Sequence, residues 1–283
     1  MEVILAKTAG FCFGVQRAVD IAYKEAEKGN FPLYTYGPLI HNESVVKDLE
    51  EKNVQVLQDK EALEKIEKGT VIIRTHGVPP EIYEIIQRKG LGLIDATCPF
   101  VKKIHHIVQE YSEKGYSIMI AGDVTHPEVQ GIMGWCGSAK VYVVQEVSDL
   151  EHFQKAPGEK ICFVSQTTFN AKKYKELVAV SEKYRYTDIV VNTICSATDE
   201  RQKEAKEIAR KADAMVVIGG KHSSNTRKLY EICKDECNDT YLIQSLEDFV
   251  LQHPEKIHTI GITAGASTPK KIIKEVQKFV RDE

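Results

Sequence analysis

The sequence has no C-x-x-C pair, which removes the main signature of zinc ribbons and thioredoxin-like redox sites. No G-x-G-x-x-G turn follows a strand, so no flavin or nicotinamide site of its own is expected. Gly219-Gly220-Lys221 looks like a piece of a phosphate loop, but the Walker spacing is missing and a P-loop NTPase is rejected. No apolar run approaches the roughly 18 residues of a membrane span. The opening segment MEVILAKTAGFCFGV lacks a basic region, an apolar stretch and a cleavage site, so no signal peptide is expected. A basic excess is also missing: Lys plus Arg is 38 against 41 for Asp plus Glu, a formal net charge of −3. That balance argues against a nucleic-acid partner. The expectation is a cytoplasmic globular protein with neither a membrane nor a nucleic acid as partner. At 283 residues the chain has ample length for a sizeable core.

What the chain does contain is a succession of short apolar, β-branched runs. They are VILA (3–6), LYTY (33–36), VIIRT (71–75), LGLIDAT (91–97), SIMIAG (117–122) and VYVV (141–144), then ICFVSQT (161–167), DIVVNTI (188–194), AMVVIGG (214–220), TYLI (240–243) and HTIGITAG (258–265). Few alternate with period two, which suits strands buried on both faces in parallel sheets. Helical stripes lie between them, such as Val15, Ala18, Val19, Ala22 and Ala26, or Ala205, Ile208, Ala209 and Ala212. Strand–helix alternation along the whole length means an α/β fold.

A coarse repeat runs through this pattern. LGLIDATCP and DIVVNTICS both read apolar strand, Thr, Cys, helix, and VILAKTAGFCFGV is a looser version. The repeat implies three small α/β lobes of roughly 90 residues, too small to be comfortable as independent domains. They are expected at 14–97, 98–194 and 195–283, the last completed by 1–13. Mostly parallel sheets would then be arranged pseudo-threefold around a shared central cavity, with Cys12, Cys98 and Cys195 each following a strand of a different lobe.

The seven cysteines are an odd number and do not suggest a disulfide framework. Cys12, Cys98 and Cys195 precede predicted helices, and Pro99 is a natural first helical residue. A helix N-terminus favours the thiolate that zinc and iron–sulfur clusters require. Cys162 falls within a strand, and Cys233 and Cys237 are four apart on the apolar face of a helix, so all three are expected in the core. Cys136 is ambiguous because its loop follows the His126–Glu128 segment. Three thiolates could hold zinc with an open position or a four-iron cluster with one iron lacking a protein ligand, and spacing alone does not choose.

Other polar residues also follow the apolar runs, where ligands bind in α/β folds. His41, His76 and His126 supply switchable donors. Ser223-Ser224-Asn225 and Ser267-Thr268-Pro269 each open a helix, an arrangement that suits phosphate, although capping alone would explain either segment. Glu128 is a candidate proton donor, with Thr167 or Thr168 orienting a water or substrate hydroxyl.

AGFCFGVQRAV, GPLIHN, RTHGVPP, DATCPFV, HPEVQGIMGW, SQTT, NTICSATDERQ, IGGKHSSNTRKLY and TAGASTP together resemble the LytB/IspH family of 4-hydroxy-3-methylbut-2-enyl diphosphate reductases over residues 9–269. The resemblance implies three α/β lobes around a [4Fe–4S] cluster, one per chain, held by Cys12, Cys98 and Cys195. Its apical iron would have no protein ligand, and loss of that iron on oxidation would leave [3Fe–4S]. It implies that His41, His76, His126, Ser223, Ser224, Asn225 and Ser267 hold a diphosphate. Glu128, Thr167 and His126 would serve catalysis, with Glu128 as proton donor and Thr167 lining the reacting end. The implied reaction removes the hydroxyl of an allylic diphosphate with two electrons from a ferredoxin- or flavodoxin-type donor, in a monomeric enzyme. Two rivals stand beside it: a zinc enzyme acting on a phosphorylated substrate, and a non-catalytic diphosphate- or redox-sensing module.

Overall fold

In the computed structural model the apolar runs become strands, each parallel to its neighbours. The described residues are 1–252 and 254–282, so the last residue of the expected third lobe lies outside them. β1 (Glu2–Leu5) leads to α1 (Phe13–Glu27), followed by β2 (Leu33–Tyr36), α2 (Glu43–Glu51), β3 (Val54–Leu57), α3 (Lys60–Lys65), β4 (Thr70–Ile73), α4 (Pro80–Arg88) and β5 (Gly92–Asp95). Next come α5 (Pro99–Glu113), β6 (Ser117–Ala121), α6 (Pro127–Trp135), β7 (Val141–Val144), α7 (Ser148–Glu151), β8 (Ile161–Ser165), α8 (Ala171–Lys183) and β9 (Ile189–Val190). The chain ends with α9 (Ser196–Ala209), β10 (Ala214–Ile218), α10 (Ser224–Glu236), β11 (Asp239–Ile243), β12 (Thr259–Ala264) and α11 (Lys270–Asp282).

The strands form three four-stranded sheets, ordered β3-β2-β4-β5, β7-β6-β8-β9 and β1-β12-β10-β11. These are the three parallel α/β lobes expected from the repeat. The central strands are the continuous apolar runs: β6, β8, β10 and β12 are buried almost throughout. Burial on both faces leaves no polar face to alternate with, which is why period two was missing from the sequence.

Two strands depart from the sequence reading. β3 was not among the runs named, because at the edge of its sheet it exposes Gln55 between buried Val54 and Leu57. DIVVNTI pairs only at Ile189–Val190. After one more backbone bond, from the Val191 N–H to the Phe163 carbonyl at 2.8 Å, a side chain replaces the ladder. Thr193 Oγ1 accepts from the Ser165 N–H at 2.7 Å and donates to the Ser165 carbonyl at 2.6 Å. Cys237 also differs, since it caps α10 in an extended conformation rather than lying within the helix. It is nevertheless buried, as are Cys136, Cys162 and Cys233.

By its internal contacts the chain divides into two units. The first comprises Met1–Gln16, Ile40–Lys47 and Cys195–Glu283 and contains the β1-β12-β10-β11 sheet. Its core lies on both faces of that sheet, with Val216, Ile218, Ile262, Ile273 and Val276 on one side and Met215, Val217, Ala205 and Leu229 on the other. The second comprises Arg17–Leu39 and Asp48–Ile194 and contains the other two sheets. Within it, α5 and α6 join the loop after β4: Trp135 donates from Nε1 to the Val78 carbonyl at 2.9 Å and stacks on His105 at 5.3 Å. Among the described residues no helix is long and apolar enough to cross a membrane.

Candidate functional site

Each unit gathers its own share of the candidate residues at strand ends. In the second unit, His76 follows β4, His126 follows β6, and Gln166-Thr167-Thr168 follow β8. The His76 and His126 rings meet edge to face with centroids 5.2 Å apart. His126 is the N-cap of α6, and its Nδ1 accepts from the Glu128 N–H at 3.1 Å. Nδ1 therefore carries no proton in this arrangement, and any proton on the neutral ring sits at Nε2.

Glu128 stands in the first turn of α6 and is only 1% exposed. Its Oε1 accepts from the Thr167 N–H at 2.6 Å, and its Oε2 accepts from Thr167 Oγ1 at 2.7 Å. Burial penalises the carboxylate and raises its pKa, while the two Thr167 hydrogen bonds pull the other way. Burial prevails, and the carboxyl is pushed up to about 7. A carboxylic acid that is half protonated near neutral pH is poised to give up a proton.

Cys98 is the N-cap of α5 with Pro99 at the first helical position, and its side chain makes no capping hydrogen bond. Its N–H donates to the Thr75 carbonyl at 3.0 Å, tying it to the residue before His76. Arg17, which the sequence reading did not single out, donates to the Thr97 and Asp95 carbonyls at 3.3 and 3.4 Å.

In the first unit, Cys12 directly precedes α1; its carbonyl accepts from the Gln16 N–H at 2.9 Å and its own N–H donates to Ala266 at 3.3 Å. Cys195 is the N-cap of α9, again with no side-chain capping bond. The Ser223 hydroxyl caps α10 by accepting from the Thr226 N–H at 3.3 Å. Both polar atoms of the Asn225 amide are buried without a hydrogen-bond partner among the described residues. An amide left so is costly unless a ligand completes it. Ser267 Oγ donates to the His41 carbonyl at 3.1 Å. A Cβ built on Gly220 would lie 2.8 Å from that same carbonyl, so only glycine lets the two loops approach. His41, Ser267 and the start of α10 thus belong to one loop cluster.

The cysteines sort by environment. Cys12, Cys98 and Cys195 are half-buried, while the other four are buried. Burial pushes the Cys136 and Cys162 thiols up to about 12, and Cys233 likewise. Such groups stay protonated thiols at neutral pH. Cys136 donates to the Ile132 carbonyl at 3.3 Å inside an apolar cluster, which resolves its ambiguity as core packing.

Arg201 went unremarked in the sequence although it lies within NTICSATDERQ. It is 3% exposed and falls on the same helical face as Ala205, Ile208 and Ala209. An arginine in register with an apolar stripe was the available signal.

The parallel sheets define an α/β protein that carries a near-neutral buried acid after one strand and reduced, half-buried cysteines at helix starts. The family profile described as LytB protein matches residues 3–281, and the chain belongs to that family. A 4-hydroxy-3-methylbut-2-enyl diphosphate reductase of Caldanaerobacter subterraneus subsp. tengcongensis is 49% identical over 99% of this chain and 97% of its own length. The enzyme of that name from Clostridioides difficile is 44% identical, and the match spans the full length of both. Among solved structures, the E-1-hydroxy-2-methyl-but-2-enyl-4-diphosphate reductase of Plasmodium falciparum superposes with a TM-score of 0.92. It is 28% identical over 98% of this chain and 87% of that one. A second solved (E)-4-hydroxy-3-methyl-but-2-enyl diphosphate reductase, called the terminal enzyme of the non-mevalonate pathway, gives a TM-score of 0.71. It is 39% identical over the full length of both chains.

Proposed function

We propose that this chain reduces (E)-4-hydroxy-3-methylbut-2-enyl diphosphate to isopentenyl and dimethylallyl diphosphates, the last step of the methylerythritol phosphate route to isoprenoids. Full-length relatives bear that activity in their names. The observation in this chain that carries the reading is the buried Glu128 carboxyl, held near neutral pKa by opposing burial and Thr167 hydrogen bonds. The reaction breaks the allylic C–O bond and consumes two electrons and two protons. One proton goes to the departing oxygen, so that water leaves, and the other forms the new C–H bond at either end of the allyl system. Glu128 supplies the proton to the oxygen, and Thr167 aims the carboxyl through both of its hydrogen bonds. His126, whose Nδ1 is already engaged by the Glu128 N–H, offers Nε2 to the substrate.

The diphosphate is assigned to His41, His76, His126, Ser223, Ser224, Asn225 and Ser267. Ser224 and Asn225 stand in the first turn of α10, where N–H groups and the helix dipole favour an anion. The uncompleted Asn225 amide fits such a ligand. Binding the unreactive end holds the substrate while chemistry proceeds at the other.

Cys12, Cys98 and Cys195 fit as ligands of a [4Fe–4S] cluster, one per chain with one iron lacking a protein ligand; with the lobes taken as 14–97, 98–194, and 195–283 with 1–13, each cysteine follows a strand of a different lobe, Cys12 after β1, Cys98 after β5 and Cys195 after β9. They are reduced, half-buried and placed at helix starts. When bound, such a cluster supplies electrons and a Lewis-acidic iron for the hydroxyl, and oxidative loss of that iron leaves [3Fe–4S]. The electron donor is assigned to the ferredoxin or flavodoxin type and the enzyme to a cytoplasmic monomer.

The test is protein purified without oxygen, analysed for iron and sulfide and then assayed with the allylic diphosphate and a one-electron reductant. About four irons and four sulfides with formation of both isomeric products is the expected result. A colourless zinc protein, or a fully loaded protein without turnover, overturns the reading.

A further inference from the structure

We propose that Arg201 is the fixed counter-charge and positioning residue for Cys12 and Cys195, an inference that rests on the reading of these cysteines as cluster ligands. Arg201 projects from α9, whose N-cap is Cys195. It donates from Nη1 to the Ala264 carbonyl at 2.6 Å and from Nη2 to the Gly10 carbonyl at 2.9 Å. Gly10 lies two residues before Cys12, and Ala264 ends β12, two residues before the Ala266 carbonyl that accepts the Cys12 N–H. One guanidinium therefore clamps both backbone segments that hold Cys12, from a helix that begins at Cys195. Gly10, whose carbonyl accepts this bond, adopts φ +99°, a conformation that a side chain would strain.

Among the described residues no carboxylate forms a salt bridge with this guanidinium. Arg201 is 3% exposed, and its Nε is buried without a hydrogen-bond partner among the described residues. The neighbouring carboxylate, Glu204, spends its oxygens on the Lys7 and Thr8 N–H groups and the Thr8 hydroxyl, at 2.6–2.9 Å. Burial lowers the guanidinium's pKa, and Cys12, Glu204 and Cys195 act in the opposite direction. An arginine stays charged in proteins, and a buried charge is tolerated when it is paired. Two carbonyl dipoles compensate it only in part. The thiolates that iron would hold at Cys12 and Cys195 complete the compensation and make the pairing permanent.

A positive charge fixed beside the ligands also favours the more negative, reduced form of whatever they hold, because nearby charge is one of the levers on cluster potential. The measurement is the midpoint potential of the reconstituted cluster, read by EPR during a redox titration, in the unaltered protein, Arg201→Gln and Arg201→Lys. With Arg201→Gln, the reduced-to-oxidised ratio at the wild-type midpoint is expected to fall about tenfold, equivalent to about 59 mV for one electron. Arg201→Lys keeps the charge and is expected to stay within about twofold. A folded, fully loaded Arg201→Gln protein with an unmoved midpoint overturns the proposal. So does Arg201→Lys shifted by tenfold, a result that decides even when the Gln variant fails to fold. Iron and sulfide in the unaltered protein separate the two levels: their absence refutes the cluster itself, whereas their presence with unmoved potentials refutes only the role of Arg201.

Discussion

The Thr167 hydroxyl donates to Glu128 Oε2 at 2.7 Å, while the Thr167 N–H donates to Oε1 at 2.6 Å. Both bonds favour the carboxylate, and both oppose the burial that favours the acid. The rise that burial causes is therefore held in check by a residue 39 positions away in the chain. Thr167→Val removes the hydroxyl donor and keeps the N–H, so the Glu128 pKa should rise above its value of about 7. If Glu128 is the acid, the wild-type rate should decline with rising pH near 7, and in Thr167→Val that limb should move to higher pH. A kcat profile measured from pH 5 to 9 checks this, and a limb that stays in place removes Thr167 from the role.

The same shift has a consequence for stability. In the folded chain Glu128 holds its proton up to about pH 7, whereas its unshifted value is 4.5. Between those values the folded state binds more protons than the unfolded one, so this group's contribution falls as pH rises and levels off above 7. The total change is on the order of 3 kcal/mol. Glu128→Gln cannot ionise and should escape it, becoming more stable relative to wild type as pH goes from 5 to 8. Denaturant midpoints at the two pH values measure the difference. The same variant should lose turnover by orders of magnitude while still binding diphosphate.

Serine at Cys12, Cys98 or Cys195 should each abolish iron binding and turnover, since all three thiols are half-buried at helix starts. Cys136→Ser is the informative control. That thiol is buried and donates to a backbone carbonyl in an apolar cluster, so its loss should leave iron content unchanged. Iron and sulfide analysis across the four variants decides, and full iron in any of the first three would strike that residue from the ligand set.

Asn225 offers a test in which stability and binding move apart. Its amide is buried without a partner among the described residues, so the ligand-free protein gains little from it. Asn225→Leu should leave the thermal midpoint unchanged or higher, because an unsatisfied buried amide costs about 1–3 kcal/mol. KM for the diphosphate substrate should rise by about tenfold or more, the equivalent of about one lost hydrogen bond. Calorimetric unfolding and steady-state kinetics together check this; a lower midpoint with unchanged KM would make Asn225 structural.

Gly219 has φ +154°, and a Cβ there would meet Thr226 Oγ1 at 2.5 Å and Thr268 Oγ1 at 2.9 Å. Gly219→Ala should therefore destabilise the first unit by about 1–3 kcal/mol and disturb the start of α10. Chemical denaturation with substrate titration would show both effects.

Much of this molecule is legible in one dimension because its signals are local. Continuous apolar runs such as AMVVIGG state by themselves that a strand is buried on both faces, and Pro99 after Cys98 marks a helix start without knowledge of any neighbour. The grouping of the runs into three parallel lobes follows from the strand–Thr–Cys repeat, and the motif set shows the family. The edges were harder to read. β3 hides behind an exposed Gln55, and DIVVNTI stops pairing where Thr193 turns its hydroxyl to Ser165. Only the tertiary structure decides how buried Glu128 is and that Thr167 grips both of its oxygens. It alone separates Cys136 as a core thiol and sets the Arg201 guanidinium on the carbonyls of Gly10 and Ala264. Burial and long-range hydrogen bonds are properties of what surrounds a group, and those surroundings come from segments tens to nearly two hundred residues away in the chain.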